Sequence, residues 1–319
     1  MNPTPDPLIT PLEPAMAELL AAVATMPPME TLPPTVARAI FSQQSAAPPG
    51  TPEIPMQAVR ELAARGANGP IPIRLYRPAG ADGLLPLVMF VHGGGWVIGD
   101  LDSYDRCCRT LAAESGMAVA SVDYRLAPEH RFPAAVDDVE AALRWLSANA
   151  HALDCHPLRL ALAGDSAGAQ LAATAALRCA GSVPVAALGL IYPPAHPFPV
   201  HTASKIENGN GKVLTTALLE HFASLYLGPD EALRSHRDAV LLGGHALSEL
   251  PPTWLATLGH DPLRDDGLAL VKALGAAGVS VRHVHEPSGV HGCLTMPAVV
   301  SQVGPRLLTS LAGWLRETV

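Results

Sequence analysis

Leu158-Arg-Leu-Ala-Leu-Ala163-Gly164-Asp165-Ser166-Ala167-Gly168 runs from a short apolar stretch into an alanine-rich pattern. Residues 158–163 read as a strand that stops at Gly164, and residues 168–180, with Leu171 and Leu177, read as a helix. A strand that turns straight into a helix across G-x-S-x-G has a specific geometry. The turn is so sharp that bulky flanks would collide, which is why both flanks are glycine. It lifts the Ser166 hydroxyl above the sheet, and the helix behind points its N-terminus at the same spot, favouring developing negative charge. A glycine-rich strand–helix turn with an incidental serine would spell the same five letters, so the surrounding sequence has to decide.

Outward from this turn, short apolar runs recur at 71–76, 86–91, 117–122, 185–191, 253–258 and 279–284. They lack polar alternation, as strands buried on both faces do. Between them lie helical patterns at 133–149, 264–277 and 298–316. Strands alternating with helices predict an α/β fold with a mostly parallel, doubly wound sheet. Active sites in such folds lie at the carboxyl ends of the strands. Residues 57–319 are expected to form this catalytic domain. Residues 1–56 are proline-rich, yet Leu12, Met16, Leu19, Leu20 and Val23 fall at helical spacing. They predict short helices lying over the main body as a cap. Residues 194–230, which interrupt the alternation with Pro194, His196-Pro197 and Asn208-Gly-Asn-Gly211, are expected to be an insertion that joins this cap.

His92-Gly93-Gly94-Gly95-Trp96 ends the run at 86–91. Consecutive glycines free backbone amides to converge on one point. Acyl transfer needs such donors because a carbonyl oxygen becomes an anion in the transition state. The amides of Gly94, Gly95 and Ala167 are the predicted oxyanion hole, with Gly93 serving the turn. No Lys-Ser/Thr follows the glycines, which excludes a phosphate-binding loop of the P-loop kind.

The chain has 13 histidines. The general base should stand on a loop beyond the last strand. His291 follows Pro287-Ser-Gly-Val290, which reads as a flexible turn, whereas His283 and His285 fall within or at the end of the strand. His260 sits beside the acid. Asp261, in Asp261-Pro-Leu-Arg-Asp-Asp266, follows the strand at 253–258 and is the predicted acid. Asp265 and Asp266 read as first-turn carboxylates complementing a helix dipole. The chain order Ser166, Asp261, His291 is that expected of an α/β-hydrolase. Trp96, Asp165 and Leu214 are candidate substrate-binding residues, and Met26, Met29, Leu32 and Phe198 are further candidates for the pocket lining.

Net charge is −8 and no Lys/Arg cluster stands out, so nucleic acid and anionic membrane are not expected partners. The five cysteines form no C-x-x-C pair, and no metal or organic cofactor is expected. Their odd, scattered number suits a reducing compartment. With no signal-peptide pattern and no transmembrane run, a cytoplasmic protein is expected.

The chain resembles the hormone-sensitive-lipase-like esterases of the α/β-hydrolase superfamily. The resemblance rests on HGGGW at 92–96, the run Asp123-Tyr-Arg-Leu-Ala-Pro-Glu-His-Arg-Phe-Pro-Ala-Ala-Val-Asp-Asp138, GDSAG at 164–168 and DPLRDDG at 261–267. In the lid it is carried only by Glu207-Asn208 and Leu214-Thr215. It implies an eight-stranded sheet, a small helical cap and carboxylesterase action on small-molecule esters of short to medium acyl chains; a homodimer follows by analogy. It also implies that Asp123, Tyr124, Arg125 and Glu129 form a structural turn. One departure stands out: the family commonly has His-Gly-Phe where this chain has His291-Gly292-Cys293, which is expected to alter the pocket or loosen the His291 loop. A non-catalytic binding protein, an amidase or deacetylase, and an interfacial lipase are the other readings of the scaffold. The intact triad argues against the first, and the absence of a long apolar lid stripe against the last.

Overall fold

Eight strands form one sheet in the order β1-β2-β4-β3-β5-β6-β7-β8. The computed structural model describes residues 8–319; the first seven residues, with Pro3, Pro5 and Pro7, lie outside the described part. In chain order the elements are α1 (Pro14–Val23), α2 (Pro34–Ser45), β1 (Met56–Gly66), β2 (Gly69–Pro78), β3 (Leu85–Val91), α3 (Asp105–Ser115), β4 (Ala118–Val122), α4 (Ala134–Asn149), β5 (Cys155–Asp165), α5 (Ala167–Arg178) and β6 (Val185–Ile191). They continue with α6 (Ala203–Glu207), α7 (Thr216–Leu227), β7 (Thr253–His260), α8 (Arg264–Ala276), β8 (Val281–Val290) and α9 (Val303–Thr318). β2 is antiparallel to both β1 and β4, and every other pairing is parallel.

The apolar runs are buried on both faces, as their lack of alternation predicted. On β3, Leu87, Met89 and Val91 enter one core and Val88 and Phe90 the other. The first core packs under α4, α5 and α8, and the second under α3 and α9. Burying each such leucine, valine or phenylalanine contributes roughly 1.5–3 kcal/mol. The parallel register brings the carboxyl ends of the central strands level: Val91 pairs with Gly164, and Asp165 with Ile191.

Three elements differ from the sequence reading. β1 is an edge strand with Ala64 as its one buried residue, so it carries no apolar run to detect. The buried face of α3 is built from Cys107, Cys108, Leu111, Ala112 and Ser115, a face with one large aliphatic side chain. β8 runs on through Pro287-Ser-Gly to Val290 instead of ending in a flexible turn there. Proline is tolerated because β8 is an edge strand.

α1 lies against the end of β8: Met16 and Leu20 cluster with Val290, with Leu12, Leu19, Val213 and Met296 packed around them. The connection from β6 to β7 contains α6 and α7 and then continues beyond residue 230 through short turns at Glu231–Ser235 and Leu247–Glu249. The segments at 8–55 and 192–252 therefore meet above the carboxyl ends of the strands.

Candidate active site

Ser166 stands at the turn from β5 to α5 with φ 52° and ψ −124°. Such a backbone costs a non-glycine residue about 1–3 kcal/mol and persists only where its surroundings enforce it. Here they do. A Cβ on Gly168 would lie 2.1 Å from the Val91 carbonyl oxygen, and one on Gly164 would lie 2.6 Å from the Gly168 carbonyl. The Ser166 amide donates to the Ile191 carbonyl at 2.8 Å, tying the turn to β6.

Three of the predicted side chains come together. His291 Nε2 lies 2.8 Å from Ser166 Oγ, and His291 Nδ1 lies 2.8 Å from Asp261 Oδ2. Asp261 is fully buried, and its Oδ1 accepts the Leu263 amide at 2.7 Å, which fixes the carboxylate plane. Asp261 follows β7 directly and His291 follows β8 directly, so two adjacent strand ends deliver the pair. The competing histidines are engaged elsewhere. His260 bonds the Thr10 carbonyl, and both His283 and His285 bond the Thr257 hydroxyl. His92 is buried; burial pushes it down to about 4, which keeps it neutral, and its Nδ1 donates to the Gly93 carbonyl.

The glycine loop after β3 faces Ser166. Gly94 and Gly95 have φ of 108° and 59°, and among the described residues their amides donate to no protein acceptor. The Gly94 carbonyl accepts the amides of Val97 and Ile98, which closes the loop into a turn. The Ala167 amide opens α5, where helical N–H groups lack an intrahelical partner. Gly95 is also where the cap meets this loop: a Cβ there would stand 2.1 Å from Cδ2 of Phe222 on α7.

Asp165 corrects a sequence expectation. It borders the cavity, but its carboxylate supports the glycine loop and is not free for a substrate. It accepts the Gly93 amide at 2.8 Å, the Tyr104 hydroxyl at 3.1 Å and the Tyr192 hydroxyl at 3.0 Å. Burial pushes the carboxyl up to about 6 against these three bonds, which favour the anion. Tyr104 and Tyr192 escaped the sequence reading because no motif surrounds either. Tyr192 also packs its ring 4.6 Å from that of His291.

A mainly apolar cavity opens above Ser166. Met29 and Phe41 of the N-terminal segment line it from one side and Val213, Leu214, Leu218 and Phe222 of the insertion from the other, with Ser166 and His291 at its base. Leu214 and Trp96 thus border the cavity as expected, although Trp96 is a fixed wall: its indole N–H donates to Gln170 Oε1 and its ring stacks on Tyr226. Met26, Leu32 and Phe198 do not border it. Neither does Cys293, which is fully buried in the core cluster that holds residues of β7 and α9. Among the described residues, no group of three or more His, Cys, Asp or Glu side chains is arranged to hold a metal ion.

A serine on a tight strand–helix turn, a histidine hydrogen-bonded to it, a buried aspartate behind the histidine and a glycine loop at the carboxyl ends of a mostly parallel sheet are the features of the α/β-hydrolase class. The family described by the alpha/beta hydrolase fold matches residues 88–295. The chain is 39% identical over 277 residues to carboxylesterase NlhH of Mycobacterium tuberculosis, covering 84% of this chain and 86% of that one. It is 35% identical over 286 residues to ethyl acetate hydrolase of Pseudomonas putida, covering 88% and 89%. An alpha/beta hydrolase enzyme from the metagenome of Lake Arreo superposes with a TM-score of 0.89 at 35% identity, covering 96% of this chain and 98% of that one. The chain belongs to the α/β-hydrolase family, within its hormone-sensitive-lipase-like branch of esterases.

Proposed function

We propose that the protein is a carboxylesterase that hydrolyses short- to medium-chain esters through an acyl-enzyme on Ser166. The observation that carries this reading is the unbroken line from Asp261 through His291 to Ser166, with both links at 2.8 Å. Ser166 Oγ attacks the ester carbonyl carbon while His291 Nε2 takes its proton. Asp261 holds the Nδ1–H tautomer and stabilises the imidazolium. The carbonyl oxygen, now an anion, is received by the amides of Gly94, Gly95 and Ala167, each such donor being worth about 10²–10³ in rate. His291 returns the proton to the departing alcohol. Water then attacks the acyl-enzyme by the same proton path and frees the acid.

The substrate class is supported by the cavity and by the relatives. Its apolar walls accept a hydrocarbon acyl chain, and Leu214 is proposed as a wall residue in contact with it. The relatives' names, carboxylesterase and ethyl acetate hydrolase, point to small esters. The N-terminal segment and the insertion are read together as the cap that limits chain length. A cytoplasmic setting accords with five cysteines that are all free and buried, and a homodimer rests on family analogy alone. Among the described residues no helix is long and apolar enough to cross a membrane.

The test is hydrolysis of p-nitrophenyl esters from acetate to palmitate, beside an anilide of the preferred acid. The reading expects activity that peaks at short or medium chains, exceeds anilide cleavage and falls to background in Ser166→Ala. Folded wild type that is inactive on every ester contradicts it.

A further inference from the structure

The short helix α6 is fastened to the loop that carries Asp261 by nearly every one of its last residues. The Ser204 amide donates to Asp265 Oδ2 at 2.8 Å, its hydroxyl donates to the Pro262 carbonyl at 2.8 Å, and the Asp265 amide donates back to that hydroxyl at 3.1 Å. Lys205 Nζ lies 3.0 Å from Asp266 Oδ2. Glu207 accepts from Arg264 at 2.8 Å. The Asn208 amide group donates to the carbonyls of Gly259 and Asp261 at 3.2 and 3.4 Å. Ile206, the one residue between Ser204 and Asn208 without such a bond, is 76% exposed and faces away.

These groups are not surface decoration. Ser204, Lys205, Asn208, Arg264 and Asp266 are all buried. Asp266 also accepts the amides of Ala195 and His196 and faces His196 Nδ1 at 3.3 Å, and these partners hold its carboxyl below the usual range despite burial. Asp265 and Asp266 stand in the first turn of α8, as their reading as helix-dipole complements expected, and they also anchor the cap. A buried ion pair adds little net stability over an apolar pair of the same size, and its best-attested use is to fix register. The bonds converge on residues 259–266, the stretch that aims Asp261 at His291.

We propose that Ser204–Asn208 is a positioning clamp for the catalytic acid, with Ser204 and Asn208 as positioning residues. The proposal rests on the assignment of Asp261 as the triad acid. The clamp continues into the substrate wall: Thr216 bonds the Lys205 and Gly209 carbonyls, and α7 then supplies Leu218 and Phe222 to the cavity. The cap thus aligns the triad as well as covering it.

The test is Asn208→Ala and Ser204→Ala, with Thr215→Ala as the comparison. Thr215 caps α7 through the Leu218 amide and makes no hydrogen bond to residues 259–266. Asn208→Ala is expected to fold, because the Gly259 and Asp261 carbonyls keep bonds from Arg264; Ser204→Ala serves if it does not. Two readouts are taken. The first is the far-downfield proton resonance of His291 Nδ1–H in the bond to Asp261, read without any ester. The second is kcat and KM per active site titrated with a phosphonate. Loosened aim is expected to lower kcat by about 10–100-fold with KM within about twofold, since misplacement near 1 Å costs on that order. The resonance should broaden and exchange faster, while Thr215→Ala leaves it as in wild type. Lowered melting temperature with an unchanged resonance and unchanged kcat would overturn the clamp. An inactive wild type whose resonance still responds to Asn208→Ala would support the clamp while removing the esterase reading.

Discussion

Gly95→Ala tests how the cap and the glycine loop are fitted together. The added Cβ would stand 2.1 Å from Phe222 Cδ2, with two more ring atoms at 2.6 and 2.8 Å. Carbon atoms pack at about 3.5–4.0 Å, so the loop or the ring must move by roughly 1.4 Å. The φ of 59° adds only about 1 kcal/mol for alanine, since the left-handed region is disfavoured and not forbidden. Phe222 is buried against the cap and cannot swing away freely, so the loop is expected to give and carry the Gly95 amide off the oxyanion. Losing one donor costs about 10²–10³ in kcat, or roughly 2.7–4 kcal/mol of transition-state stabilisation. The assay is kcat on a p-nitrophenyl ester per titrated active site, for Gly95→Ala, Phe222→Ala and the double variant. With the ring removed, the double variant should come within about tenfold of Phe222→Ala, a coupling inside the range measured for residues in contact. Gly95→Ala within about threefold of wild type, or a double variant no better than Gly95→Ala, would refute the steric argument.

Two further predictions concern buried groups. Asp165 has its carboxyl raised from 3.8 to about 6 by burial, so its ionised form costs the folded state stability. Below the unfolded value the cost is absent; it grows as pH rises through about 6, reaching about 3 kcal/mol at 1.36 kcal/mol per unit. The stability of wild type minus that of Asp165→Asn should therefore fall by about that amount between pH 3 and 7 in denaturant titrations; a constant difference would count against it. Cys293→Ala should lower stability by about 1–2 kcal/mol by leaving a small core void, with an unchanged acyl-chain profile. A profile shifted to longer chains would mean that the residue shapes the pocket after all.

The convergence of Ser166, His291 and Asp261 was legible because each occupies a position that the fold constrains from local sequence. Ser166 is framed by glycines that pack against β3, and Asp261 and His291 each follow a strand end directly. The buried strands were legible because apolar runs are their own signal. β1 was not, because an edge strand with one buried alanine shows no such run, and α3 was not, because cysteine and alanine make a faint apolar face. The end of β8 was misread because Pro287-Ser-Gly spells a turn locally, while pairing of His260 with Val290 keeps it in the sheet. The support beneath the site was the least legible part. Asp165 meets Tyr104 and Tyr192 across separations of 61 and 27 residues, and Asn208 meets Gly259 across 51. No local pattern encodes such contacts; only the level strand ends bring them together.

The central claim is a covalent acyl group on Ser166, and acid quenching during turnover of a p-nitrophenyl ester followed by peptide mass spectrometry tests it most directly. The account predicts a burst of p-nitrophenol approaching one per enzyme whenever deacylation is the slower step, and in the quenched enzyme an acyl mass on the peptide carrying Ser166, absent in Ser166→Ala. Steady hydrolysis with the acyl group on another residue, or hydrolysis that persists undiminished in Ser166→Ala, would contradict it.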